Sequence, residues 1–137
     1  MWWIYALLSA FFAALTAVFA KVGIRGVDSD LATAIRTVVI LFIAWIIAFA
    51  KGSVTTIATL SRQNFIFLGL SGIATGLSWI FYFKALQIGK VSQVAPVDKL
   101  SVALAIILSV LFLGEALTWK NAVGAVLIIA GTLVLIL

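Results

Sequence analysis

The chain has 137 residues, of which 66% are hydrophobic and 9% are charged, and its formal net charge is +5. A water-soluble domain of this length could not cover so much apolar surface with so few polar groups, so the composition predicts an integral membrane protein. Because the sequence contains no Cys and no His, it excludes disulfides and the commonest metal ligands, and we expect neither a metal nor a cofactor.

Five apolar stretches are each long enough to cross a bilayer, which takes about 20 residues of helix. The predicted helices lie near residues 2–20, 31–50, 64–86, 92–113 and 120–137. None of them alternates with the period of two that a barrel strand shows, and each must satisfy its own backbone in lipid. We therefore predict an all-α, multi-pass membrane protein with one transmembrane domain over residues 1–137. The first segment follows no Lys or Arg and is too long for a signal-peptide core, so we expect a span there.

The loop cations are nearly balanced between the two sides of the membrane. An odd number of spans predicts termini on opposite sides, which groups Lys51, Arg62 and Lys120 against Lys21, Arg25, Lys84 and Lys90. This balance leaves two hypotheses open: one weakly specified orientation, or dual topology in which oppositely inserted copies pair. We attribute the positive net charge to these loops and to a few cations within the spans, and expect no nucleic-acid partner.

Ionisable residues within the predicted spans are the first candidates for a functional site. Arg36 lies about five residues into the second segment, and Asp98 and Lys99 lie about six or seven residues into the fourth, so all three are expected roughly 8–10 Å deep. Pro96 is placed in or just after the first turn, where its missing N–H matters least, and Asp98 near a helix N-terminus. One hypothesis is a substrate site centred on Arg36 and Asp98, with Lys99 as an accessory cation. The alternative is a structural ion pair with lysines that reach the interface, and we assign Lys84 to that group.

The third segment carries hydroxyl groups along one helix face. Ser71, Thr75, Ser78 and Tyr82 recur at i, i+4, i+7 and i+11, and Trp79 stands beside them. The stripe ends near the expected depth of the interior charges, which favours Ser78, Trp79 and Tyr82 as substrate-lining residues. The alternative is that the hydroxyls bond their own backbone carbonyls and pack against neighbouring helices.

Small residues indicate where helices approach each other closely. Gly72 and Gly76 form a small-xxx-small pattern that Gly69 extends by a turn. In the last segment Gly124 and Gly131 are seven residues apart on one helix face. We predict that Gly124 and Gly131 lie in a dimer interface.

Several stretches resemble the EamA-like branch of the drug/metabolite transporter superfamily in its single-repeat, five-helix form. "AIRTVVILFIAW" is similar to the family's second helix, which often carries an arginine at the place of Arg36. The chain from residue 79 to 136 is similar to its third to fifth helices, most recognisably in "FLGE" and "GAVLIIAG". Larger members contain two such repeats in opposite orientation. The resemblance implies half of a ten-helix inverted-repeat shell, which two chains must complete as a homodimer, expected to be antiparallel and in the cell membrane.

The resemblance implies transport by alternating access and no enzymatic activity. The charged residues indicate the class of solute. The related small multidrug resistance proteins export cations with a glutamate in their first helix, whereas the first segment here has no ionisable residue. The net positive interior favours an anionic or zwitterionic metabolite, and an Asp98 that changes protonation would couple transport to protons. Two alternatives stay open: a flippase for a lipid-linked anionic group, and a non-transporting membrane subunit whose charges fix helix pairing.

Overall fold

The computed structural model describes all residues 1–137, which form helices and contain no strand. Five helical spans are long and apolar enough to cross a membrane: Trp2–Gly23, Ser29–Ala50, Arg62–Ile88, Val91–Leu113 and Trp119–Ile136. This confirms the predicted fold class. Each span begins and ends within three residues of the predicted bounds, although the fourth span is divided into two helices. We name the helices α1 (Trp2–Gly23), α2 (Ser29–Ala50), α3 (Arg62–Ile88), α4 (Val91–Asp98), α5 (Leu100–Leu113) and α6 (Trp119–Ile136). A 3₁₀ helix, Ser53–Thr59, lies between α2 and α3.

Side-chain caps explain why two of the helices begin before their first strongly apolar residue. The Asp28 carboxylate accepts hydrogen bonds from the N–H groups of Asp30 at 3.0 Å and Leu31 at 3.1 Å, which satisfies donors that the first turn of α2 leaves free. The Thr118 hydroxyl accepts from the N–H of Asn121 at 3.2 Å and caps α6 in the same way. Helix starts therefore follow the capping residues more closely than they follow hydropathy.

The fourth span is interrupted at Lys99, which separates α4 from α5. Pro96 is the sixth residue of α4, beyond the first turn, so its missing N–H removes a helical hydrogen bond to the carbonyl of Ser92. The N–H of Lys99 donates to the carbonyls of Ala95 at 3.3 Å and Pro96 at 3.0 Å, a tightened turn typical of a proline kink. The expectation that the proline is harmless here is therefore wrong. Asp98, predicted near the N-terminus of one continuous helix, is the last residue of α4, two residues before α5 begins.

The chain divides into two structural units, of which the first comprises residues 1–18 and 88–137. In this unit α6 packs against α4 and α5. Thr132 is buried in α6 and donates its Oγ1 hydrogen to the carbonyl of Pro96 at 3.2 Å. This bond fastens α6 to the kinked part of the fourth span.

The second unit comprises residues 19–87. Two long-range hydrogen bonds join the first and last residues of this unit. Lys21 Nζ donates to the carbonyl of Leu86, and Gln87 Nε2 donates to the carbonyl of Val27 at 2.9 Å. Both tie the C-terminal end of α1 and the turn after it to the end of α3. Phe83 and Leu86 are buried beside this junction, so the last turns of α3 have a fixed position relative to the start of α2.

Candidate functional site

Arg36 is held against an aromatic surface within the membrane-spanning part of the second unit. It is the eighth residue of α2, about 10 Å along the helix from its first residue. Its Cζ atom lies 4.6 Å from the ring centroid of Trp79 and 5.0 Å from that of Phe83. Trp79 and Phe83 are four residues apart on α3 and share one helix face. We call these two rings the aromatic platform.

The two rings of the aromatic platform offset much of the cost of placing a cation inside a span. A guanidinium over an aromatic face gains about 0.5–1 kcal/mol when exposed and about 2 kcal/mol when desolvated. A charged side chain at the centre of a transmembrane helix costs about 2.5–3.5 kcal/mol on insertion scales. Two such contacts are comparable in size to this cost, so the rings account for much of the stability of Arg36 in the span.

One nitrogen of Arg36 has no hydrogen-bond partner. Nη1 is buried, and none of residues 1–137 supplies an acceptor for it. A guanidinium carries five N–H donors in a planar fork that matches carboxylate and phosphate oxygens. The two rings under the Arg36 Cζ atom accept no conventional hydrogen bond, so they do not satisfy Nη1.

The three predicted lining residues of α3 differ in their relation to Arg36. Trp79 contacts it directly, as part of the aromatic platform. Tyr82 is half-buried and packs edge-to-face on Phe83 with ring centroids 6.3 Å apart. Ser78 is exposed at the position before Trp79. The role of all three in binding a substrate stays a prediction.

At the N-terminal end of the hydroxyl stripe, the hydrogen-bond donor of Thr75 is satisfied within α3. The Thr75 hydroxyl donates to the carbonyl of Ser71 at 2.8 Å within α3. In α2, Thr33 donates in the same way to the carbonyl of Ser29, and Thr37 to the carbonyl of Thr33, both at 2.8 Å. For Thr75 the geometry is the one that the packing alternative expects, since a hydroxyl bonded to its own helix is not free to donate to a solute.

The second pair of predicted site residues lies at the kink of the fourth span. Lys99 Nζ is 3.3 Å from Asp98 Oδ2, with side chains 58% and 34% exposed. An ion pair as exposed as this contributes little to stability. One contact also leaves the ammonium with further hydrogen-bond donors and the carboxylate with further acceptor sites. Arg36 belongs to the second unit and Asp98 to the first. The pairing of Arg36 with Asp98 stays a prediction.

The glycine faces singled out in the sequence have no neighbour within the chain. A Cβ atom added at Gly124 or Gly131 would meet no atom within 4 Å, and the same holds for Gly69, Gly72 and Gly76. Packing inside this chain therefore does not require a glycine at these positions. Their place in a dimer interface stays a prediction.

Sequence reasoning missed Phe83 and the contact of Arg36 with two rings. The signal was present, because Trp79 and Phe83 form an i, i+4 aromatic pair on the helix that follows the arginine-bearing span. Asp98 was predicted as the partner of Arg36 because it carries the opposite charge. Aromatic faces also stabilise a guanidinium.

Comparison with known proteins agrees with this architecture. The profile of the EamA-like transporter family matches residues 1–137. A Sinorhizobium sp protein named "Uncharacterized transporter in cobO 3'region" is 52% identical over 134 residues, covering 98% of this chain and 95% of its own. An uncharacterized protein of Methanocaldococcus jannaschii is 36% identical over 66 residues, 48% of each chain. No solved structure matches the chain. The chain therefore belongs to the EamA-like transporter family, a family of multi-pass membrane transporters and not of enzymes, and its five spans fit a half-size member.

Proposed function

We propose that this transporter carries a small anionic or zwitterionic metabolite and that Arg36 is its anion-binding residue. The observation that carries the proposal is the buried Nη1 of Arg36, which has no acceptor within the chain although it lies in a membrane span. A carboxylate or phosphate oxygen of the solute would supply that acceptor.

The aromatic platform supports an anion site that binds loosely. Contact with Trp79 and Phe83 would restrict the movement of the guanidinium before the solute arrives. A hydrogen bond to a charged group contributes about 1.5–3 kcal/mol, whereas a millimolar dissociation constant corresponds to about 4 kcal/mol. A site built around one arginine therefore releases its solute readily, as a transport cycle requires.

We further propose that two copies form an antiparallel homodimer in the cell membrane and alternate access around a shared site. The family resemblance implies a ten-helix shell, which two five-helix chains would complete. The open faces at Gly124 and Gly131 would let a helix of the second copy approach closely. The balanced loop cations allow both orientations.

Asp98 is the residue that we propose for proton coupling, with Lys99 as an accessory cation. Asp98 is the only acidic residue between Asp30 and Glu115, and it lies at a kink inside a span. Interrupted helices and intramembrane carboxylates are common at the coupling sites of secondary transporters. Its side chain is 34% exposed beside Lys99.

Uptake into proteoliposomes tests the role of Arg36. We expect one class in a panel of radiolabelled carboxylates, amino acids and phosphate esters to accumulate, and Arg36→Ala to reduce its uptake at least tenfold because the donor is lost. Arg36→Lys should retain part of the uptake, since it keeps the charge and loses the fork. Arg25→Ala is the matched control, because Arg25 is an exposed cation in the turn after α1. Equal uptake by Arg36→Ala and Arg25→Ala would refute the anion site, and dissociation of the Arg36→Ala dimer would favour the structural alternative.

Labelling of single cysteines tests the antiparallel arrangement. The native chain has no Cys, so one cysteine introduced at either terminus is the only thiol. We expect a membrane-impermeant maleimide to label each terminus partly from each face of the membrane. Strictly one-sided labelling of both termini would exclude dual insertion.

A further inference from the structure

An open cavity lies in the second unit, away from Arg36. Its volume is about 250 Å³, and it is bounded by Ala44, Trp45, Ala48, Ser53, Val54 and Ile57. Three of these residues are in the C-terminal half of α2 and three are in the 3₁₀ helix. Ala44 is eight residues beyond Arg36, about 12 Å further along α2. We call this cavity the α2 pocket.

The α2 pocket arises from small residues opposite a turn. Ala44 and Ala48 are four residues apart, so they form a shallow wall on one face of α2. Gly52 has a φ of 68°, a left-handed conformation that residues with a Cβ rarely adopt, and it starts the 3₁₀ helix that packs against α2. Trp45 closes one side of the pocket and packs on Phe49 with ring centroids 5.7 Å apart.

The lining favours hydrocarbon over water. Apart from the Ser53 hydroxyl and the Trp45 indole N–H, the side chains of the lining are apolar. The hydroxyls of Thr55 and Thr56, nearby on the 3₁₀ helix, donate to backbone carbonyls at 2.8 and 2.7 Å. In a bilayer the available apolar occupant is a lipid acyl chain.

The charges around the α2 pocket favour an anionic headgroup. Lys51 follows Ala48 by three residues and Ala44 by seven, and its αR backbone continues α2, so it lies one turn beyond the alanine wall on the same face. Arg62 begins α3 directly after the 3₁₀ helix. Both cations are exposed, and residues 51–62 include no Asp or Glu. Basic residues at the end of a span attract anionic lipids.

We propose that the α2 pocket binds one acyl chain of an anionic phospholipid whose phosphate is held by Lys51, with Arg62 as a second cation. The acyl chain would fill the space between Ala48 and the 3₁₀ helix. Trp45 would contact both the chain and the interface, as aromatic residues at membrane boundaries do.

Fluorescence quenching by brominated lipids tests the proposal. The full-length protein is prepared with Trp45 as its only tryptophan, by replacing Trp2, Trp3, Trp79 and Trp119 with Phe, and its helicity is checked by circular dichroism. It is reconstituted in phosphatidylcholine with a small fraction of dibrominated phosphatidylglycerol or dibrominated phosphatidylcholine. We expect brominated phosphatidylglycerol to quench Trp45 with an association constant several-fold above that of brominated phosphatidylcholine.

Two pairs of variants separate the headgroup from the pocket. Lys51→Gln should lower the preference for phosphatidylglycerol about fivefold, the contribution of one basic residue near an anionic surface, whereas Lys120→Gln at the start of α6 should leave it unchanged. Ala48→Phe fills the pocket and should abolish the preference. Ile47→Phe adds the same ring at the adjacent, exposed position and should preserve it.

The outcomes decide the proposal in either direction. A preference for phosphatidylglycerol that is lost in both Lys51→Gln and Ala48→Phe supports a bound anionic lipid. Equal quenching by the two lipids would show ordinary boundary lipid and overturn the proposal. A preference that survives Ala48→Phe would also overturn it, because the headgroup would then bind without the pocket.

Discussion

The contact between Arg36 and Trp79 predicts a measurable coupling energy. The guanidinium carbon lies 4.6 Å from the Trp79 centroid, well inside the ~6 Å limit for a cation–π interaction, and Arg36 is half-buried. Its coupling should therefore exceed the exposed value of about 0.5–1 kcal/mol and approach the desolvated value of about 2 kcal/mol. The contact with Phe83 should be weaker, because the distance is 5.0 Å and a phenyl face attracts cations less than an indole face.

A double-mutant cycle measures this energy. Arg36→Met, Trp79→Leu and the double variant are unfolded reversibly in mixed detergent micelles, and the coupling is the deviation of their free energies of unfolding from additivity. We expect about 1–2 kcal/mol, with a smaller coupling when Phe83→Leu replaces Trp79→Leu. A parallel cycle of Arg25→Met with Trp79→Leu should show additivity. A coupling of Arg36 to Trp79 below about 0.3 kcal/mol, like that of the control, would refute the aromatic platform as the support of Arg36.

Three further predictions concern the first unit. Thr132→Val should lower the free energy of unfolding by about 0.5–1.5 kcal/mol, because the hydrogen bond to the Pro96 carbonyl is lost; Thr132→Ser, which keeps a hydroxyl, should recover part of that energy. Asp98→Asn should abolish uptake driven by a proton gradient but retain exchange of solute across the membrane, and proton-driven uptake at the native rate would refute its coupling role. Gly131→Leu should weaken dimerisation at least tenfold in single-molecule photobleaching, and an unchanged dimer fraction would remove Gly131 from the interface.

The membrane-spanning fold was largely predictable from the sequence because hydropathy reports it directly. Each span needs about 20 apolar residues, and the five predicted spans match the observed helices closely. The kink at Lys99 was not predicted, because average hydropathy carries no information about the N–H that Pro96 lacks. The 3₁₀ helix after Gly52 was also missed, since its short turns have no hydrophobic period.

The candidate site was only partly predictable. Arg36 was identifiable because a cation inside a span is costly, whichever way the helix is turned. The residues that contact Arg36 depend on how α2 and α3 are rotated about their axes relative to each other. The spacing of residues within one helix does not determine that rotation. The structure places Trp79 and Phe83 against the guanidinium, and it places Lys99 next to Asp98 at the kink. Contacts between spans require tertiary information that sequence periodicity lacks.

Nitrogen-15 NMR of the Arg36 side chain tests the central claim most directly. Arg25→Lys and Arg62→Lys leave Arg36 as the only arginine, so ¹⁵N-arginine labelling of the detergent-solubilised protein reports on its guanidinium alone. We predict that the anionic solute found by uptake shifts the Nη resonances and slows guanidinium rotation at saturation, because a new acceptor engages Nη1. Resonances that do not change with saturating solute would show that the anion binds elsewhere and would contradict the account.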